Sequence, residues 1–173
     1  MIVTGADIAE AAKSSKYDGV PYGEMDCQSF VEHVLADCDI NHNWLGSNDM
    51  WRHMVSDKQT VQECLIKNGG EVPEGYICFT IKHDGKEPSR YTDGVNAAHV
   101  GVVLDNNRVR HSTTGGVQYD AITNASRWTH VAKHNDVTYL DDATAETITM
   151  GHIYKILQDI KALLEEEGND SDE

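Results

Sequence analysis

The sequence predicts an α+β domain with its helices first and an antiparallel sheet after them. A change of texture near residue 70 carries that prediction. Before it, apolar residues recur at the spacing of helices with one buried face; beyond it, they fall in short β-type runs separated by turn residues. The chain has 173 residues, 39% of them hydrophobic, which is enough for one core and a preformed cleft.

Taken in order, residues 8 to 12 suit a short helix, and "SSKYDGVPYGE" then supplies the Ser, Asp, Gly and Pro of a turn. From Cys27 the apolar positions Cys27, Phe30, Val31, Val34, Leu35 and Cys38 follow the i, i+3, i+4, i+7, i+8, i+11 series. Gln28, Ser29, Glu32, His33 and Asp37 take the solvent side. A third helix is expected after Ser47, with Met50, Trp51, Met54 and Val55 on one face, and a fourth through "TVQECLIKN", stopped by Gly69 and Gly70. Strands are expected in "YICFTI" (76–81), "HVGVVL" (99–104), "RVRHST" (108–113), "GVQYDA" (116–121) and "DVTYL" (136–140). These runs lie close together, as in an antiparallel sheet.

The end of the chain departs from both textures. Ile153, Ile156, Leu157, Ile160, Leu163 and Leu164 form a narrow helical stripe, followed by an acidic, Gly-containing end. The expected division is a domain over 1–148 and a helix with an acidic tail over 149–173. That helix could dock on its own domain or pair with a second copy, giving a homo-oligomer.

A net charge of −15 argues against nucleic acid as a partner, because non-specific binding depends on Lys and Arg displacing counterions from phosphate. Glu165, Glu166, Glu167, Asp170, Asp172 and Glu173 supply six of those charges, and the rest of the chain still carries −9. Nowhere do about 18 apolar residues run together, so no membrane span is expected. The start, "MIVTGADIAEAAKSSKYDG", lacks a basic segment before an apolar one, which leads to the expectation of cytoplasmic synthesis without a secretory signal. Cys27, Cys38, Cys64 and Cys78 include no CxxC pair and are expected as free thiols.

Cys27 stands where the turn becomes a helix. Unpaired N–H groups at a helix start lower a thiol pKa and can hold an oxyanion, so this position suits a nucleophile. It equally continues an apolar stripe, as a small buried residue would. Partners come from "AHVGVVLDNNRVRHSTTGGV", read as a hairpin with Asp105, Asn106 and Asn107 as its loop. Leu104 then opposes Arg108, Val102 opposes Arg110 and Gly101 faces His111, so that His99 is the diagonal neighbour of His111 on the same face. Such a pair could lie at the surface, bind a metal together with Cys27, or act as a base and its orienting residue. His130 and His134, spaced i, i+4, lack an HExxH context and are read as ordinary polar positions. Trp44, Trp51 and Trp128 are read as core or groove wall, with Trp51 placed at the cleft.

Three stretches in this order, "YGEMDCQSFVEHVL", "EGYICFTI" and "AHVGVVLDNNRVRHSTTGGV", resemble the signature blocks of the NlpC/p60 cell-wall cysteine peptidases over residues 15 to 125. The resemblance implies a papain-like NlpC-type fold, with Cys27 as nucleophile, His99 as general base and His111 as orienting residue. It places Tyr22 and Asp26 in the substrate cleft. Gln28 and Ser29 replace the family's usual Ser-Gly after Asp-Cys, and Ser29 is assigned with Trp51 to substrate binding. The stretch "GSNDMWR" resembles phage-borne and prophage-borne members.

The implied activity is cleavage of the bond between D-glutamate and a diamino acid in peptidoglycan stem peptides or muropeptides, with no cofactor and no metal. An amidase or acyltransferase on the same scaffold, or an inactive wall-binding module, are the alternatives. Such an enzyme would act at the wall after lysis or phage delivery, as an endolysin or tail-associated protein, or would recycle wall fragments.

Overall fold

The computed structural model describes residues 2–42 and 45–139. Trp44 and the predicted C-terminal helix with its acidic tail lie outside the described residues.

Four α-helices lie among the described residues: α1 (Gly5–Ala12), α2 (Cys27–Ala36), α3 (Ser47–His53) and α4 (Val61–Lys67). Helix α1 starts ahead of its apolar pattern because Thr4 caps it: the Thr4 hydroxyl accepts from the Asp7 N–H, and the Asp7 carboxylate accepts from the Thr4 N–H. Thr60 and Glu63 form the same reciprocal cap on α4. Helix α2 begins at Cys27 because the Asp26 carboxylate accepts the Ser29 N–H at 2.8 Å. Its stripe of Phe30, Val31, Val34 and Leu35 is at most 1% exposed. At roughly 1.5–3 kcal/mol per buried side chain, that stripe is the main reason α2 stays on the sheet. The helix stops at Ala36, so Cys38 lies in the turn beyond it rather than on the stripe.

The strands are β1 (Val55–Thr60), β2 (Ile77–Lys82), β3 (Asn96–Val103), β4 (Arg108–Thr113), β5 (Gly116–Ala121) and β6 (His130–His134). They form one sheet in the order β1-β6-β2-β3-β4-β5, every neighbouring pair antiparallel. Helix α2 packs on β3 and β4, α3 on β3 and β1, and α4 on β1 and β6. β2 is buried along all but its last residue, as an internal strand should be.

Two expectations need correction. Val55, assigned to the third helix, begins β1, whose exposed "SDK" has no strand-like pattern. Among the described residues the final strand is "HVAKH" rather than the expected 136–140, whose last residue lies outside them; it inserts between β1 and β2. Two backbone partners and the full burial of Val131 and Ala132 make that polar-looking stretch a strand.

Candidate active site

The hairpin of β3 and β4 brings two imidazoles together. A three-residue turn, Asp105–Asn107, is closed by the Leu104 N–H donating to the Arg108 carbonyl at 2.7 Å, with Asn106 and Asn107 in left-handed conformations. The register pairs Val102 with Arg110, as the odd-numbered loop requires. Gly101 consequently faces His111, and a Cβ there would lie 3.0 Å from His111 Cβ and 2.9 Å from Val109 Cγ1. The open space at Gly101 lets the His111 ring reach diagonally across to His99. His99 Nε2 and His111 Nδ1 are 2.7 Å apart, with ring planes at 82°. A bulge aims His99: β2 pairs Thr80 with His99 but Ile81 with Ala97, so Ala98 is the extra residue.

Trp128 completes this packing. It stacks on His99 with centroids 5.4 Å apart and meets His111 edge-on at 5.0 Å. Only 2% exposed, it is a wall of the histidine pair rather than a sugar platform. Beside it, Arg127 Nη1 lies 3.4 Å from His111 Nε2, and its Nε lies 3.6 Å from Asp120.

The loop before α2, which leads into Cys27, is fastened to the sheet. Buried Arg110 donates to the carbonyls of Ala12 at 2.8 Å and Ser14 at 3.1 Å and also binds Asp18. The Ser112 hydroxyl donates to the Met25 carbonyl at 2.5 Å, two residues before Cys27. Gly116, at φ +88°, admits the Val20 carbonyl, which would stand 3.0 Å from a Cβ. The Cys27 sulfur is thereby set against the N–H of Val100, the residue after His99, the N–H of Gln28 and the Tyr22 hydroxyl.

The electrostatics differ from those expected of a helix start. Burial raises the Cys27 pKa, and the Asp26 carboxylate raises it further; the N–H groups of Val100 and Gln28 and the Tyr22 hydroxyl pull it down without overcoming burial. Burial, reinforced by the Arg127 charge and opposed by Asp120, lowers His99 to about 4. His111 falls to about 4 through burial and the neighbouring charges of His99 and Arg127. Near neutral pH the resting site is a thiol beside neutral imidazoles rather than a preformed thiolate.

A cleft of about 380 Å3 opens over His99, lined by Tyr22, Thr80, Lys82, Ser126 and Arg127 among others. Asp26 acts as the α2 cap, and Ser29 lies within the first turn of α2. Trp51 does not line the cleft: its ring packs edge-on against Phe79 at 5.1 Å and His130 at 5.6 Å. His130 and His134 lie on strand β6, not on a helix. The four cysteines form no disulfide. Arg127, Asp120 and the Ala98 bulge carry no local sequence signal; the folded register brings them to the site.

No family model and no curated protein matches the sequence. Solved structures do share its fold. The NlpC/p60 domain of the peptidoglycan hydrolase SagA is 18% identical, with a TM-score of 0.52 over 76% of this chain and all of that one. A protein described as similar to lipoprotein, NLP/P60 family, from Staphylococcus aureus subsp. aureus Mu50, is 17% identical with a TM-score of 0.52 over 78% of this chain and 41% of that one. The α+β fold is that of NlpC/p60 domains.

Proposed function

We propose that the chain is a member of the NlpC/p60 family and a peptidoglycan hydrolase, a cysteine endopeptidase that cleaves the D-glutamyl to diamino acid bond of stem peptides. The observation that supports this reading is the 2.7 Å contact between His99 Nε2 and His111 Nδ1, with Cys27 at the first position of α2 and its sulfur near the N–H of Val100, the residue after His99. The SagA domain, part of a peptidoglycan hydrolase, has the same fold and supports the substrate class.

In the serving tautomer, His99 donates from Nε2 to His111 Nδ1, which leaves His99 Nδ1 to take the Cys27 proton. His111 then carries its own proton on Nε2, so the Arg127 Nη1 contact at 3.4 Å, which needs an unprotonated Nε2, is given up in this tautomer. The thiolate attacks the scissile carbonyl carbon, and the Cys27 N–H at the start of α2 holds the oxyanion. The C–N bond breaks as protonated His99 gives its proton to the leaving amine. Water, deprotonated by His99, hydrolyses the thioester and restores the thiol. Tyr22 and Lys82 position the stem peptide in the cleft.

The test is mass spectrometry of defined muropeptides before and after incubation. The parent protein should release products split at the D-glutamyl bond, and Cys27→Ala should release none at a comparable rate. Digestion by Cys27→Ala at the parent rate overturns the reading, and products split at another bond overturn the bond assignment.

A further inference from the structure

A second group of candidate ligands lies away from this cleft. β6 pairs His130 with Phe79 and Ala132 with Ile77, so His134 falls beyond the end of β2 opposite Thr80, the partner of His99. At about 3.3 Å per residue this is roughly 17 Å along the strands. There His42, in the segment after α2, meets His134 and Asp136. Each offers one ligand atom, and the three atoms lie within 4.8 Å of one another.

We propose that His42, His134 and Asp136 form a binding site for Zn2+ or a similar first-row divalent cation. Two imidazoles and a carboxylate are the donor set that such ions prefer over Ca2+ or Mg2+, which take oxygen ligands. Tetrahedral zinc with bonds of about 2.0–2.1 Å holds its ligand atoms roughly 3.4 Å apart. His42 Nε2 and Asp136 Oδ2 are now 2.6 Å apart in direct contact, so an ion entering between them widens that pair and draws in His134.

The His134 ring is already fixed by packing, at 1% exposure. The Asp136 N–H donates to His134 Nδ1 at 3.2 Å, so a cation taken through that nitrogen would displace this hydrogen bond. A cavity of about 300 Å3 lined by Glu32, Asn41 and His42 opens beside His42. The ion would clip the end of β6 to a segment 94 residues away, a structural role separate from the cleft chemistry.

The test uses the full chain with Cys27→Ala, which removes the thiolate that could hold zinc with His99 and His111. Chelator-stripped protein is titrated with Zn2+ against a chromogenic chelator, with Ca2+ as the contrast, and melting is followed in parallel. One equivalent of Zn2+ bound at micromolar affinity or tighter, with a raised Tm and no response to Ca2+, is expected. His42→Ala and Asp136→Asn, both at partly exposed side chains, should each weaken binding by at least about 100-fold, at or beyond the loss typical for a residue that only supports a ligand. Absence of binding below millimolar Zn2+, or binding that both variants retain, overturns the site. Circular dichroism of the variants separates a lost site from a lost fold.

Discussion

The two histidine clusters use the same side chain in opposite surroundings. His99 touches His111 and sits near the Arg127 charge, and Asp120, the acid that acts on it, is held by that arginine. His42 is in direct contact with the Asp136 carboxylate, and its ring lies 5.8 Å from that of His134. A ring that must accept a proton needs to be neutral and oriented, which burial and a second imidazole provide. A ring that must share an ion profits from a carboxylate, which adds negative charge to the site. The field around an imidazole, rather than the residue itself, decides its work.

The largest effect that sharpens this contrast is expected at His99, the proposed base. His99→Ala should lower kcat/KM on muropeptides by about 10²–10⁴, the usual contribution of a positioned general base. Parent-like turnover in that variant would remove the cleft pair from the chemistry.

Acid titration tests the shared feature of burial. His99, His111 and His134 are all lowered to about 4 in the fold, against an ordinary 6.5. The unfolded chain therefore binds more protons in this window, so stability is fully present above pH 6.5 and is lost as pH falls toward 4. The slope should be roughly 1–4 kcal/mol per pH unit. A Tm that stays level from pH 6.5 to 4.5 would contradict it.

Gly101→Ala probes the space that lets the cleft rings meet. The added methyl lies 3.0 Å from His111 Cβ and from the Arg110 carbonyl, so it should cost about 1–3 kcal/mol. Activity should fall more than stability predicts; equal activity in the folded variant would show that the His111 contact is dispensable. Arg127→Gln should act through charge. Removing the cation raises both cleft histidines, so the acid limb of the pH–rate profile moves to higher pH while the neutral plateau changes less. The smallest effect belongs to the far cluster: in chelator-treated protein, His42→Ala should change stability by under about 1 kcal/mol, because its pair with Asp136 is half open to solvent.

Much of this was legible in the order of residues. The stripe from Cys27 to Leu35 has the period of a helix, and only burying one face satisfies it. The hairpin register followed from loop parity alone, because side chains alternate strictly along a strand, and the pairing of Val102 with Arg110 agrees with it. Where reading failed, the deciding partner was distant in sequence. "HVAKH" and "VSDKQT" carry little strand pattern, and each becomes a strand because a neighbour across the sheet satisfies its backbone. Trp51 was placed at the cleft from its neighbours in sequence, whereas α3 turns its ring onto Phe79.

Local pattern, then, determined the helices that carry periodic apolar faces, the start of α2 at a capped cysteine and the common face of His99 and His111. These depend on spacing and turn chemistry within about a dozen residues. The tertiary structure alone decided the protonation of the site and the neighbours that set it. A pKa depends on how much water is removed and which charges approach, and Arg127, Asp120 and Trp128 approach only once the sheet has closed around them.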